Sequence, residues 1–399
     1  MKFLYVNGGY VESASSTHIV EMLREIGHEV DVYDEILGSI GLEDSIVERL
    51  MLYIKEHRID MVFSLYFVMN IALATHRTNI SYVCILWDAP YILVYNVLAK
   101  LDNVWISTFD KLDRDRFLEY GIPHVLYQPL SVAGKEVVEW NREIQEVLEG
   151  HYIHEISFVG RLYEGNDYDM IVNGLPVSMQ YYFNSIFEKA AFKWDGINRV
   201  YGKTSQEILD YIRLLNPEIQ IPDFKQDIEE VRHFEVLYLI RKIANIERIA
   251  ILNLLAEKYT VDLYTFSAKE AQRTLHGVNI RPPVVYGKAA ALVFAGSKIN
   301  LNISLKGIEG GTPQRIMDIM GAGGFVLSSY CDETAELFEE NKEIVMFKSP
   351  EEMLEKIDYY LRHDREREAI AKAGYEKVMK NYTYEKKLAE LIEWVAKGE

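Results

Sequence analysis

The chain has 399 residues, of which 49% are apolar and 26% charged, and its 61 acidic against 43 basic side chains give a formal net charge of −18. This ordinary globular composition excludes general disorder, and the length predicts two domains. The acidity, with no basic stripe in the sequence, argues against a nucleic-acid binder. The two cysteines, Cys84 and Cys331, exclude a disulfide framework and a four-thiolate metal site, and favour a reducing, cytoplasmic compartment.

No stretch of the sequence predicts an integral membrane segment. The longest apolar stretch, residues 61–74, contains Ser64 and Asn70 and is shorter than the roughly 20 residues that a span needs. Residues 1–6 are too few for the core of a signal peptide, and we interpret them as the first buried strand.

The first third of the chain alternates between strand and helix signals. The sequence first predicts a strand–helix–strand unit. It consists of a strand at residues 3–6, a helix at 17–26 with apolar residues at helical spacing, and a strand at 30–33. The same alternation predicts helices at 46–56, 70–75 and 111–120 and strands at 61–65, 82–87, 104–107 and 124–127. This pattern is typical of a doubly wound α/β domain.

A charged helical stretch at residues 135–149 precedes Gly150, where we place the domain boundary. Beyond it the sequence predicts a strand at 155–159, mostly helix at 168–258, and renewed strands at 261–265, 299–303, 325–328 and 344–347. From Pro350 onward the chain is nearly all helical. Periodicity alone thus predicts two α/β domains with a cleft between them.

Residues 299–325 are the most informative segment. A strand leads into a loop with Gly310 and Gly311, and Thr312-Pro313 suit the N-cap and first position of a helix. The free amides of the loop and the first turn suit an anion, and Arg315 in that turn is disfavoured by the helix dipole unless something negative lies alongside. A bound phosphate fits this pattern, and so does a capped helix with a surface arginine.

Asp318 lies three residues after Arg315, on the same helix face. Its carboxylate can accept both hydroxyls of a ribose, or it can simply pair with Arg315.

Residues 299–325 resemble the CgeB-like (spore-maturation-protein-type) glycosyltransferases. The resemblance continues in Glu336-Leu337-Phe338 and in residues 351–374. These enzymes are similar to the group-1 and family-4 nucleotide-sugar transferases of the GT-B fold. Shorter stretches agree with the family in the same order along the chain: residues 87–90, 127–130, 157–163, 246–248 and 298–302.

The resemblance implies a GT-B fold, in which two Rossmann-like, doubly wound domains face a cleft. The acceptor-side domain would comprise residues 1–150, joined by a C-terminal helix at 376–399 whose apolar stripe has to be buried, and the donor domain residues 151–375. The donor would be a nucleoside-diphosphate sugar, with uridine favoured, and neither a metal nor another cofactor would be required.

The resemblance also assigns residues to the donor site. Asp318 would grip the ribose, Arg315 and the amides of 310–312 would face the diphosphate, and Gly160 and Arg161 would close the other side. The sequence departs from the family-4 pattern of two glutamates separated by seven residues. Asp318 fills the second place, whereas the first is Gly310, with Glu309 one step before it. Whether the sugar keeps its anomeric configuration therefore stays open.

The first domain offers two candidate clusters. Gly8 and Gly9 follow the first strand and permit close approach of a ligand, and His18 opens the next helix, although a glycine turn with an N-cap explains the same pattern. Asp88 follows the strand at 82–87, where it could act as a base toward an acceptor hydroxyl or cap the turn at Pro90.

We therefore expect a cytoplasmic glycosyltransferase that moves a sugar from a nucleotide sugar to a hydroxyl of an acceptor not identified by the sequence. Two alternatives remain open at this stage. One is an enzyme like the nucleotide-sugar 2-epimerases, which needs no acceptor, and the other is a non-catalytic nucleotide-sugar-binding protein. The ten histidines show no HExxH or comparable spacing, so a catalytic zinc site is not expected.

Overall fold

The computed structural model describes residues 1–7, 14–33, 37, 41–217 and 227–398, with the side chains of 14–18 and 227–229 left out of the description. The chain forms two compact units. The first unit comprises residues 1–136, 310–314 and 378–399, and the second unit comprises 137–309 and 315–377. The division after residue 136 falls inside a helix, Gly134–Leu148, rather than at Gly150, because the contacts of this helix from Val137 onward belong to the second unit.

The first unit is built on a parallel sheet of six strands in the order β2-β1-β3-β4-β5-β6. The strands are β1 (Lys2–Val6), β2 (Glu29–Tyr33), β3 (Met61–Leu65), β4 (Ser81–Leu86), β5 (Val104–Thr108) and β6 (His124–Tyr127). The helices that connect them are α1 (Ala14–Glu25), α2 (Asp44–His57), α3 (Met69–Thr78) and α4 (Lys111–Tyr120), with 3-10 turns at Ile92–Val94 and Val97–Lys100. Helix α5 (Gly134–Leu148) then leads into the second unit.

The second unit has its own parallel sheet, in the order β12-β11-β10-β7-β8-β9. Its strands are β7 (His154–Val159), β8 (Val261–Tyr264), β9 (Asn279–Arg281), β10 (Ser297–Asn302), β11 (Val326–Ser329) and β12 (Val345–Phe347). Read from β9, the strands are numbered 3-2-1-4-5-6 within the unit, which is the Rossmann order. The doubly wound α/β architecture predicted for both halves is confirmed.

Helices make up the rest of the second unit. Between β7 and β8 lie α6 (Asp167–Ile171), a 3-10 turn (Val172–Gly174), α7 (Val177–Ala190), α8 (Gln206–Leu215), α9 (Asp227–Phe234), a π-helical turn (Glu235–Ile240) and α10 (Arg241–Ala256). The later helices are α11 (Ala268–Thr274), α12 (Lys288–Ala295), α13 (Gln314–Gly321), α14 (Asp332–Leu337), α15 (Pro350–Tyr360) and α16 (Asp364–Asn381), whose last residues return to the first unit. The sequence analysis assigned neither β9 nor α12.

The C-terminal helix α17 (Tyr384–Lys397) belongs to the core of the first unit. Its buried side chains are Leu388, Leu391, Ile392 and Val395. They lie in one apolar cluster with Phe3 and Tyr5 of β1, Phe63 of β3 and Ile19 and Leu23 of α1. The last residues of the chain thus complete a core whose strands come from its beginning.

The substitution Leu391→Ala should therefore destabilise the first unit. Leu391 is 1% exposed, and truncating a buried leucine costs about 2–5 kcal/mol in the free energy of unfolding. Urea denaturation followed by circular dichroism measures the change. The matched control is Lys386→Ala on the exposed side of the same helix, which should change stability by no more than about 0.5 kcal/mol. Equal, small effects of the two substitutions would show that the helix does not contribute to this core.

Candidate functional site

The strand order of the second unit places a topological switch point between β7 and β10. From β7 the chain continues on one side to β8 and β9, and then crosses back to β10 on the other side of β7. In open α/β sheets ligands bind beyond the carboxyl ends of the strands at such a point. The segments that follow β7 and β10 are Gly160-Arg161 and residues 303–309, so the switch point coincides with predicted donor-site residues.

One buried arginine ties these two segments together. Arg248 on α10 donates from Nη1 to the main-chain oxygen of Arg161 at 2.5 Å and from Nη2 to that of Ile303 at 2.7 Å. The Phe158 ring lies 5.4 Å from the guanidinium carbon. Burial lowers the pKa of Arg248, although an arginine remains charged at neutral pH. Arg248 thus fixes the separation of the two loops at the switch point.

Gly160 has a steric role in this arrangement. A Cβ atom at this position would lie 3.2 Å from the Phe158 ring and 3.9 Å from Nη1 of Arg248. The Gly160 amide donates to the main-chain oxygen of Tyr264 at 3.0 Å. The side chain of Arg161 is exposed, whereas its carbonyl is held by Arg248.

Arg315 and Asp318 lie near the start of α13. Nη1 of Arg315 and Oδ2 of Asp318 are 3.5 Å apart, and their side chains are 31% and 10% exposed. The Arg315 guanidinium also lies over the Phe294 ring, 5.2 Å from its centre. Helix α13 begins at Gln314, directly after Pro313, and therefore slightly later than the sequence predicts.

Glu309 is held by the helical part of the second unit. The Asn198 side chain donates to Oε1 of Glu309 at 2.6 Å, and Nη2 of Arg232 lies 3.3 Å from Oε2. Because both carboxylate oxygens have partners, Glu309 is fixed in place at the end of the segment 303–309, which follows β10.

The glycines at 310 and 311 make their contacts inside the first unit. The Gly310 amide donates to Oδ2 of Asp110 at 2.9 Å, so this amide is not free for a ligand, unlike the open loop expected from the sequence. Oδ1 of Asp110 caps α4 by accepting from the amides of Leu112 and Asp113. A Cβ atom at Gly310 would lie 2.8 Å from Oδ1 of Asp110, and one at Gly311 would lie 2.7 Å from the Phe109 ring. The close contacts with Asp110 and Phe109 are therefore what require glycine at positions 310 and 311. Thr312 is fully buried.

Asp88 is the other described candidate of the first unit. Asp88 is exposed after β4, and its Oδ2 accepts a hydrogen bond of 2.6 Å from the hydroxyl of Tyr66, which follows the neighbouring strand β3. Gly8 and Gly9 lie outside the described residues, as does the side chain of His18.

The sequence analysis missed several polar residues at the carboxyl edge of the second sheet. Lys306 and Glu247 form a buried ion pair of 3.1 Å, with the Lys306 ammonium also donating to the main-chain oxygen of Lys193 at 2.7 Å. Burial raises the pKa of Glu247 and lowers that of Lys306. Asn302 donates to the hydroxyl of Ser328 at 2.9 Å across β10 and β11. Only the family-like stretches at 246–248 and 298–302 signalled part of this set, Glu247 and Asn302, and neither stretch predicted a contact partner.

The described residues contain no group of three or more His, Cys, Asp or Glu side chains that could hold a metal ion. Among them there is also no helix that is long and apolar enough to cross a membrane.

The loop-bracing role of Arg248 can be tested with Arg248→Lys. An ammonium group presents its donors from one point and cannot replace the guanidinium fork, so we expect a loss of about 1–3 kcal/mol in the free energy of unfolding. Hydrogen exchange should accelerate at the amides of 160–163 and 303–306. The control is Arg241→Lys on the same helix. The Arg241 side chain, which pairs with Asp167, is 41% exposed, so this ion pair should contribute no more than about 1 kcal/mol. Unchanged exchange in both loops would contradict the role given to Arg248.

Part of the chain matches a known protein family. Residues 248–393 match the family model described as "Glycosyl transferase-like". The match begins at Arg248 and includes Glu309, Arg315 and Asp318. No curated protein matches the chain.

Three solved structures share the fold over essentially the whole chain. The sucrose-phosphate synthase (tll1590) from Thermosynechococcus elongatus matches with a TM-score of 0.55 at 10% identity and full coverage of both chains. Alr3699/HepE from Anabaena, in complex with UDP-glucose, gives 0.54 at 10% identity, also with full coverage of both. A glycosyltransferase from Rickettsia africae ESF-5 gives 0.53 at 12% identity, covering 100% of this chain and 99% of the other. At such identities the likeness establishes the fold alone. The chain has the GT-B fold, and its residues 248–393 are similar to a family described as glycosyl transferase-like.

Proposed function

We propose that this protein is a glycosyltransferase that moves a sugar from a nucleoside-diphosphate sugar, with UDP as the favoured carrier, to an acceptor hydroxyl without a metal ion. The observation that carries the proposal is the Arg315–Asp318 pair at the start of α13, inside the region that matches a glycosyl transferase-like family. The bound UDP-glucose of the Anabaena protein, which has the same fold, supports the choice of donor.

The donor half of the reaction needs a stabilised diphosphate leaving group. When the bond between the anomeric carbon and the diphosphate oxygen breaks, negative charge collects on that oxygen. In the proposal, Arg315 and the first turn of α13 face this charge, and Asp318 accepts the hydroxyls of the ribose. Gly160 and Arg161 close the other side, and Glu309 stays assigned to the donor, whereas the Gly310 amide is held by Asp110 and is left out of the proposal.

The acceptor half needs a base. We assign Asp88 as the base that removes the proton of the acceptor hydroxyl while the acceptor oxygen bonds to the anomeric carbon. We assign His18 to the acceptor side of the site as well. Nucleoside diphosphate and the glycosylated acceptor are then the products. The hydroxyl of Tyr66, which donates to Oδ2 of Asp88, orients this carboxylate and leaves Oδ1 for the acceptor.

The proposal extends to the subtype and the compartment. The sequence resemblance assigns the chain to the CgeB-like group of hexosyl-type transferases. Cys84 and Cys331 are both buried free thiols, and a structure without a disulfide between them suits a reducing cytoplasm.

Release of free nucleotide from a panel of nucleotide sugars tests the function directly. With UDP-sugars we expect UDP release that persists with a chelator present and rises when a suitable acceptor is supplied. A sugar nucleotide that changes configuration without change of mass would instead identify a 2-epimerase. Binding without turnover of any panel member, with or without acceptors, would identify a binding protein, and loss of turnover on chelation would contradict metal independence.

The substitution Arg315→Ala should weaken binding of UDP by about 1.5–3 kcal/mol, the size of a charge-assisted hydrogen bond. Its thermal stability should change little, because removing a cation from a helix N-terminus is not itself harmful. Calorimetry against UDP measures the change, with Arg365→Ala as the control, an exposed arginine of α16. Unchanged affinity in Arg315→Ala would remove this residue from the site.

Asp318→Asn separates ribose recognition from a purely structural pair. If Asp318 accepts bonds from the ribose, replacing it with a neutral acceptor should weaken UDP binding, whereas 2′-deoxy-UDP should bind the wild type poorly and be hardly affected by the substitution. The two nucleotides and two proteins make a double-mutant cycle. If deoxy-UDP binds the wild type as tightly as UDP, Asp318 is only the partner of Arg315.

A further inference from the structure

Phe266 is an exposed aromatic residue at the carboxyl edge of the second sheet. It follows the last residue of β8 by two positions and is 64% exposed. Val159 pairs with Tyr264 in the parallel register of β7 and β8, so two residues further on Phe266 lies beside Arg161. Neighbouring strands are about 4.8 Å apart. Phe266 is therefore one strand spacing away from a residue assigned to the donor site.

The main chain on both sides of Phe266 is held in place. Before it, the main-chain oxygen of Tyr264 accepts a hydrogen bond of 3.0 Å from the amide of Gly160. After it, the amide of Ser267 donates to Oγ1 of Thr265 at 3.2 Å, and Thr265 is itself buried. The turn is thus fixed, whereas the aromatic ring that it carries extends into solvent.

A further contact joins the loops that follow β7 and β8. The hydroxyl of Thr274, at the end of α11, donates to the carboxylate of Glu164 in the loop after β7. The same loop is held at the Arg161 carbonyl by Arg248. Because both loops are braced by these contacts, the separation of Arg161 and Phe266 does not depend on their exposed side chains.

The exit of the next strand is apolar as well. Strand β9, which pairs with β8, is followed by Pro282, Pro283, Val284 and Val285, and Val285 is 63% exposed. A single exposed apolar side chain is ordinary on a protein surface. Here two neighbouring strand exits are apolar in a chain of which 26% is charged. Such an edge suits a flat, uncharged ring system rather than a phosphate or a carboxylate.

This apolar edge adjoins the proposed diphosphate contact. Burial lowers the pKa of Arg248, and the charge of Arg315 lowers it further, so Arg315 is near enough for its charge to act on Arg248. Nη1 of Arg248 in turn holds the Arg161 carbonyl at 2.5 Å. From Arg315 the carboxyl edge of the sheet therefore leads past Arg161 to Phe266.

We infer that Phe266 is the platform on which the nucleobase of the donor stacks. The inference rests on the proposed function, because a nucleoside diphosphate has to occupy the site. The Phe266 ring covers one face of the base, and the apolar residues at 282–285 lie along its edge. Every base has a face that can stack on an aromatic ring. Phe266 thus determines how tightly the base is held, and the choice among bases falls to other groups.

Calorimetric titration of the full chain with UDP tests the inference, with pyrophosphate as a partial ligand that lacks the base and the ribose. Phe266→Ala should weaken UDP binding about tenfold or more, because the stack between base and ring is lost, and should change pyrophosphate binding by no more than about twofold. Phe266→Tyr keeps an aromatic ring and should bind UDP within about threefold of wild type.

The matched control is Tyr181→Ala, which removes an exposed ring near the start of α7, away from the strand exits, and should leave UDP affinity unchanged. Circular dichroism checks that the variants fold. The inference would be overturned by unchanged UDP affinity in Phe266→Ala, by equal losses for UDP and pyrophosphate, or by a loss in Phe266→Tyr as large as that in Phe266→Ala.

Release of UDP from UDP-sugars, measured on the same preparations, separates this inference from the proposed function. Wild-type turnover together with unchanged UDP affinity in Phe266→Ala would show that only the base platform is wrong. A wild-type protein that neither binds UDP nor releases it from UDP-sugars would contradict the inference and the proposed function together.

Discussion

The fork of hydrogen bonds from Arg248 is the interaction on which the geometry of the switch point depends. Strands β7 and β10 are neighbours in the sheet, although their first residues, His154 and Ser297, lie 143 positions apart along the chain. A buried guanidinium from a third element, α10, joins carbonyls of the loops that follow them. Because a buried charge is tolerated only when it is hydrogen-bonded, this arrangement fixes both loops and the helix relative to one another.

The remaining parts of the second unit's site can be understood from that constraint. Phe158 packs beside Arg248, and a Cβ atom at position 160 would lie 3.2 Å from the Phe158 ring, which is closer than an ordinary van der Waals contact. The buried pair of Glu247 and Lys306 anchors the segment after β10 to the same helix. With this framework rigid, the charged pair of Arg315 and Asp318 remains partly exposed, which suits a group that has to meet a charged ligand.

Local periodicity predicted most of the fold. Strand β3 and helix α4 have the bounds expected from the sequence, since a continuous apolar run and a helix between an N-cap aspartate and a glycine are local signals. Strand β9 is only three residues long and largely exposed, so it carried no such signal. The switch point itself followed from strand order, which the sequence did not provide.

The site was predicted less completely, because its contacts join distant residues. Arg248 reaches Arg161 and Ile303 across 87 and 55 positions, and Gly310 reaches Asp110 across 200. The glycines at 310 and 311 suggested an open anion loop, yet the structure shows that close packing is sufficient to require them. The roles of Arg315, Asp318 and Asp88 stay predictions, since the structure shows their neighbours and not their ligands.

A crystal structure of the protein with UDP tests the central claim most directly. The account predicts that the diphosphate lies beside Arg315 at the carboxyl edge of the second sheet, with the ribose hydroxyls within hydrogen-bond distance of the Asp318 carboxylate. UDP bound elsewhere, or bound there with its ribose turned away from Asp318, would contradict it.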